Sequence, residues 1–117
     1  MSGDECVIVM QLVDLRAQPE RDDYGILRAL EFPFKSACKI LSDTAALGPI
    51  PYGCASTDAE GGIRIEWMRP TINVRLLIPT AGTGACVYHE EGTAFGIEPA
   101  TAEILAKWLA LIEDSPA

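Results

Sequence analysis

The chain has 117 residues, of which 49% are apolar and 22% are charged, and its formal net charge is −8. This length suits one core, so we expect a single domain over residues 1–117. The composition is too apolar for a disordered chain, and its apolar runs fall far short of the roughly 20 residues of a membrane span. The acidity opposes binding to nucleic-acid phosphates. We therefore expect neither a membrane nor a nucleic acid as a partner.

The first apolar stretch follows the acidic residues Asp4 and Glu5, where a secretory signal would carry positive charge. We therefore expect the cytoplasm as the location. The cysteines are spread along the chain without a C-x-x-C pair or a metal-ligand spacing, which predicts buried, reduced thiols and no metal site. An even count leaves disulfide pairing open. The four cysteines are Cys6, Cys38, Cys54 and Cys86.

Helical spacing of apolar residues predicts a first helix over residues 5–16. Its β-branched residues leave a strand over Cys6–Leu12 as the alternative. The polar residues 17–23 predict a loop. Pro33 suits a first helical turn and indicates a second helix over residues 33–46, which ends before Pro49.

Alternating apolar residues in the second half of the chain predict strands over residues 52–57, 62–68, 72–78, 85–90 and 93–97. The turn residues D-A-E-G-G favour a hairpin between the first two strands. A broad apolar stripe predicts a last helix over residues 99–113, starting at Pro99. Short connections favour an antiparallel β-meander of four to five strands. The expected fold is α+β, with two N-terminal helices and one C-terminal helix packed on the apolar face of the sheet.

Two segments carry a resemblance to a family of small, uncharacterised bacterial proteins. Its members have a W-D-G-Y-G loop between two helices, and a D-G-G-x-x-x-E-W strand that opens a meander. Here the loop reads R-D-D-Y-G over residues 21–25, with Arg21 for Trp and Asp23 for Gly, and the strand reads E-G-G-I-R-I-E-W over residues 60–67. The resemblance implies the same order of elements and a setting in mobile-element or toxin–antitoxin neighbourhoods. It implies no established activity.

One face of the predicted sheet collects polar side chains. Arg64 and Glu66 alternate with the apolar residues of their strand, and Asn73 and Arg75 share that face across the next turn. Charge pairs on a solvated sheet face are common, so a structural role is the simpler interpretation. The functional interpretation is a polar surface offered to a protein partner.

Two other residue types are candidates for binding. Trp67 and Trp108 are expected to be core anchors, and either indole outside the core becomes a candidate hot spot of an interface. His89 is the single histidine, and Glu90 beside it points to the opposite face. We expect an exposed edge or turn histidine in preference to a catalytic base.

The sequence thus predicts a non-enzymatic protein-interaction module without a cofactor, antitoxin-like or immunity-like, for a basic protein partner. The residues proposed for binding are Arg64, Glu66, Trp67, Asn73, Arg75 and His89. One alternative is a small ligand-binding domain or enzyme with a site between sheet and helices. Another is a homo-oligomer formed through a sheet edge.

Overall fold

The computed structural model describes residues 3–17, 21–22, 25–26, 31–58, 60–80 and 84–114. Three helices and a five-stranded sheet make up the body of the fold, which confirms the α+β class. The helices are α1 (Gly3–Ala17), α2 (Glu31–Ala45) and α3 (Ala102–Asp114). The strands are β1 (Arg21–Asp22), β2 (Gly25–Ile26), β3 (Cys54–Thr57), β4 (Ile63–Met68), β5 (Ile72–Ile78), β6 (Cys86–Glu91) and β7 (Ala94–Pro99).

The large sheet is an antiparallel meander in which β3, β4, β5, β6 and β7 lie in chain order. Its turns explain this topology. Between β3 and β4, Asp58 Oδ1 accepts the N–H groups of Glu60 and Gly62, each at 2.9 Å, and Gly61 has a φ of 90°. Gly92 has a φ of 62° in the two-residue turn between β6 and β7. Positive φ is a conformation that glycine adopts without steric cost.

One face of the sheet forms the core with the helices. Ile63, Ile65, Val74 and Leu76 are buried there, as their alternation predicts. The helices contribute buried residues that complete the same cluster: Ile8, Leu12, Ala37, Leu41, Leu105, Leu109 and Ile112. The expectation that the helices cover the apolar face is therefore confirmed.

The N-terminal segment is a helix, so the alternative strand over Cys6–Leu12 is wrong. Tertiary contacts override the β-branched composition, since Ile8 and Leu12, one turn apart, both lie in the core. Gln11 links this helix to β3, where its Oε1 accepts the Ala55 N–H at 2.7 Å. The edge of β3 is thereby covered.

Several predicted boundaries differ from the structure by two or three residues. The second helix begins at Glu31 and not at Pro33, and β3 begins at Cys54 and not at residue 52. Pro99 ends β7 instead of starting α3, because the Ala100 N–H donates to Ala85 O at 3.1 Å and continues the ladder with β6. Thr101 Oγ1 then accepts the Ile104 N–H at 3.2 Å, an N-cap that starts α3 at Ala102. The fifth strand accordingly runs two residues beyond the predicted residue 97.

The predicted loop over residues 17–23 is also revised, since residue 17 ends α1 and Arg21–Asp22 pairs with Gly25–Ile26. Residues 18–20 and 23 of the predicted loop, residues 81–83 and residues 115–117 lie outside the described residues. Cys54 is exposed, which contradicts the expectation of buried thiols, because it points away from the core on β3. None of the described helices is long and apolar enough to cross a bilayer.

Candidate functional site

The side of the sheet that faces away from the core is called the open face here. The pairing register brings its side chains into rows across the strands: Glu66 lies opposite Arg75, and Arg75 opposite Tyr88. The described helices pack on the other side. The open face comprises Cys54, Ser56, Arg64, Glu66, Met68, Asn73, Arg75, Leu77, Cys86, Tyr88, Glu90, Phe95, Ile97 and Pro99.

The centre of the open face is a charged cluster around Glu66. Its Oε1 lies 3.0 Å from Arg64 Nε, and its Oε2 lies 3.6 Å from Arg75 Nε. The Arg75 guanidinium also lies 5.6 Å from the centre of the Tyr88 ring, a cation–π distance. Such partly exposed pairs stabilise the fold little, and their geometry places both guanidinium groups beside the Glu66 carboxylate.

The half of the open face on β6 and β7 is apolar apart from Glu90, whose Oε2 accepts the Tyr88 hydroxyl at 3.3 Å. Tyr88 stacks on Phe95, with 6.4 Å between ring centres. Phe95 is 71% exposed and Ile97 is 66% exposed, and Met68 on β4 is 56% exposed. Large exposed apolar side chains that lie close together, as Phe95 and Ile97 do, are characteristic of interaction surfaces. Met68 lies three strands away from Phe95, in the row that also contains Asn73 and Glu90.

A cleft of about 230 Å³ opens beside the charged cluster at the β3 side of the sheet. Exposed Cys54 lies in it, opposite Glu66 in the register. Its lining is Tyr52, Gly53, Cys54, Ser56, Glu66, Met68 and Arg69. The cleft adds a concave region to an otherwise flat face.

The structure therefore brings together four of the six predicted binding residues, since Asn73 also lies on the open face and donates to Glu90 at 3.4 Å. Sequence reasoning missed Met68, Phe95 and Ile97. The alternation of β6 could have indicated Tyr88, but Phe95 and Ile97 join it only through the β6–β7 register. The β6–β7 register depends on which residue begins the turn between these strands, and the alternation of apolar residues does not determine that residue.

Trp67 lies on the core side instead. It is fully buried, and its Nε1 donates to Pro51 O at 2.9 Å. This agrees with the expectation of a core anchor, so Trp67 is not part of the open face. Trp108 is only partly buried and packs against the edge of the core.

His89 also lies on the core side, and the expectation of an exposed edge or turn histidine is wrong. Only 15% of its side chain is exposed, because β6 lies between β5 and β7 and α3 covers this face. Its ring stacks on Trp108 with 3.8 Å between centres and 13° between planes. Its Nε2 lies 3.0 Å from Glu98 Oε2.

Glu98 joins the two rings. The same Oε2 accepts the Trp108 Nε1–H at 2.8 Å. This hydrogen bond, with the nearby positive charge of Lys107 and the contact with His89, holds the pKa of Glu98 below its ordinary value, against a smaller opposing effect of desolvation. The cluster connects α3 to β6 and β7, a structural role. Glu98 was missed because its pairing with His89 depends on the cross-strand register.

No family model matches the chain, and neither the curated proteins nor the solved structures contain a match to it. The resemblance to the small bacterial proteins stays a prediction. Among the residues the structure describes, no three His, Cys, Asp or Glu side chains are arranged to hold a metal ion.

Proposed function

We propose that the chain is a non-enzymatic protein-interaction module that docks a basic protein on its open face. The observation that supports this most strongly is the exposure of Met68, Phe95 and Ile97 on a rigid sheet whose described helices pack on the opposite side. Burial of such side chains against a partner provides the main favourable free energy of association.

The composition of the open face suits a protein interface. Methionine, aromatic residues and arginine are enriched in interfaces, and Met68, Tyr88, Phe95, Arg64 and Arg75 share this face. Glu66 and the Tyr88 ring already hold the two arginines in place. Side chains ordered before binding lose less conformational entropy when a partner docks.

The choice of a basic partner follows from charge. The chain carries a net charge of −8, whereas the open face is nearly balanced, with Arg64 and Arg75 against Glu66 and Glu90. Most of the negative field therefore arises outside the contact surface. It accelerates the approach of a basic protein, and the apolar contacts then hold the complex. Association should consequently slow as salt is added.

The resemblance of residues 21–25 and 60–67 to proteins of toxin–antitoxin neighbourhoods supports an antitoxin-like or immunity-like role. In such a role an acidic protein covers a basic one. The E-G-G-I-R-I-E-W segment forms most of β4, and its polar residues Arg64 and Glu66 lie at the centre of the open face.

A pair of matched substitutions tests this proposal. Met68→Lys places a positive charge on the open face, and Leu47→Lys makes the same charge change at a residue 57% exposed beyond α2. Tagged wild-type, Met68→Lys and Leu47→Lys chains are used as baits in extracts of the source cell, with captured proteins identified by mass spectrometry. We expect one basic protein to be captured by wild type and Leu47→Lys and lost with Met68→Lys. Equal capture by all three baits, or an acidic partner, contradicts the proposal.

A further inference from the structure

The outer edge of β7 has backbone groups without partners among the described residues. The Ala100 N–H bonds to Ala85 O, and hydrogen-bonded pairs alternate along an antiparallel ladder. Gly96 and Glu98 therefore direct their backbone groups toward β6. Phe95 and Ile97 direct theirs outward. Pro99 also faces outward, but it has no N–H to donate, and its carbonyl accepts the Thr101 N–H at 3.0 Å.

The two edge strands of the sheet, β3 and β7, differ in how far other parts of the chain cover them. At β3, Gln11 of α1 accepts the Ala55 N–H at 2.7 Å and lies 3.5 Å from Gly53 O. At β7, the outward positions carry Phe95 and Ile97, the two most exposed large apolar side chains of the sheet. Natural proteins protect edge strands with charges, bulges or covering segments. Within the described residues, β7 has Pro99 at its end and one charged residue, Glu98, which is engaged with His89 and Trp108 on the core side.

We propose that β7 pairs antiparallel with β7 of a second copy of the chain, with the twofold axis at Gly96, to form one continuous ten-stranded sheet from the two five-stranded sheets. This register places Phe95 opposite the partner's Ile97, and Ile97 opposite the partner's Phe95. Each of these pairs exchanges both of its backbone hydrogen bonds. All outward N–H groups of the strand then have acceptors.

The two neighbouring symmetric registers are poorer. An axis at Phe95 would place Ile97 opposite the partner's Thr93, which lies in the turn before β7. An axis at Ile97 would place Phe95 opposite the partner's Pro99, which has no N–H, so the Phe95 carbonyl would lose its donor. The proposed register also avoids repulsion in a chain of net charge −8. Gly96 faces the partner's Gly96 without side chains, and Glu98 faces the partner's Ala94. No two carboxylates lie directly opposite each other across the new ladder.

The side chains favour this pairing as well. Phe95 and Ile97 lie on the same face as Tyr88, so each aromatic and β-branched pair across the new ladder extends an existing apolar surface. The two open faces join side by side and stay accessible. The dimer uses the backbone edge of β7 and the adjacent flanks of Phe95 and Ile97, whereas Met68 and the charged cluster around Glu66 lie on other strands. Either proposal can therefore fail without the other.

Sedimentation equilibrium of the wild-type chain tests the dimer. We expect a concentration-dependent shift from 12.6 kDa toward twice that mass. Ile97→Lys should raise the dimer dissociation constant by about tenfold or more, because a charge at the pairing edge opposes strand addition. Met68→Lys, an equal charge change on the same face three strands away, should leave the constant unchanged. Ile97→Pro, which removes an outward N–H that the monomer does not use, provides a second disrupting variant.

Cross-linking tests the register. In a Cys54→Ser background, mixed chains carrying Phe95→Cys and Ile97→Cys should form disulfide-linked heterodimers, and neither variant should link to itself. Self-linking of either variant would indicate a twofold axis at that residue and overturn the proposed register. A wild-type monomer at every concentration, or Ile97 variants that dimerise as wild type does, would overturn the proposal as a whole.

Discussion

Gly96→Ala is a sharp test of how α3 is attached to the sheet. A Cβ at residue 96 would lie 2.7 Å from His89 Cε1 and 3.1 Å from its Nε2. Ordinary contacts between carbon atoms are about 3.5–4.0 Å, so the imidazole must move by about 1 Å. That movement disrupts both the stack on Trp108 and the contact with Glu98.

The expected destabilisation combines two opposing effects. Overpacking a well-packed site costs about 1–3 kcal/mol. Replacing glycine by alanine restricts the unfolded chain and returns about 0.4–1 kcal/mol. The net loss in free energy of unfolding should be about 1–2 kcal/mol, which corresponds to a fall in Tm of about 4–8 °C for a domain of this size.

Urea denaturation of a matched series measures this loss. Gly48→Ala is the control, since a Cβ at residue 48 meets nothing within 4 Å, and it should leave the midpoint nearly unchanged. In a His89→Ala background the collision is absent, so Gly96→Ala should become close to neutral. If Gly96→Ala is as stable as wild type, or equally destabilising without His89, the reasoning about this cluster is wrong.

Other substitutions probe neighbouring contacts. The pKa of Glu98 is lowered in the folded chain, so its contribution to stability is present above the ordinary value of 4.5 and is lost as the pH falls through the lowered pKa. The free energies of unfolding of wild type and Glu98→Gln, measured by denaturation, should therefore become equal only in that acidic range. Trp108→Phe removes the main hydrogen bond to Glu98, so the carboxyl pKa measured by NMR titration should rise toward its ordinary value. Gln11→Leu leaves the Ala55 N–H without its acceptor and should cost about 1–3 kcal/mol, with faster hydrogen exchange at that amide. An unchanged exchange rate there would show that α1 does not protect the β3 edge.

The sheet could be predicted well because local physics dictates it. Strict alternation in β4 and β5 assigns Ile63, Ile65, Val74 and Leu76 to one face. In the described part of the chain, positive-φ glycines lie at three of the four strand reversals, and Pro70 lies at the reversal between β4 and β5. The same alternation of side chains along the strand predicts the charged cluster on the opposite face. Alternation along β4 alone places Arg64 and Glu66 on one face, whatever strand lies beside it.

The contacts of His89 could not be predicted in the same way. His89 lies two residues after Val87 on β6, so both side chains point to the same face, and Val87 is buried there. This spacing indicates the covered face for His89. Glu98 and Trp108 reach it only through the β6–β7 register and the packing of α3, which depend on contacts distant in sequence. The exposed pair Phe95 and Ile97 was missed for the same reason.

Methyl NMR of the labelled chain, titrated with the captured basic protein, tests most directly whether the open face is the docking surface. The methyl groups of Met68 and Ile97 report on that face, and those of Leu47 and Leu111 report on exposed positions elsewhere. We expect the resonances of Met68 and Ile97 to shift or broaden on binding while those of Leu47 and Leu111 stay unchanged. The reverse pattern would place the partner on the helices and contradict the account.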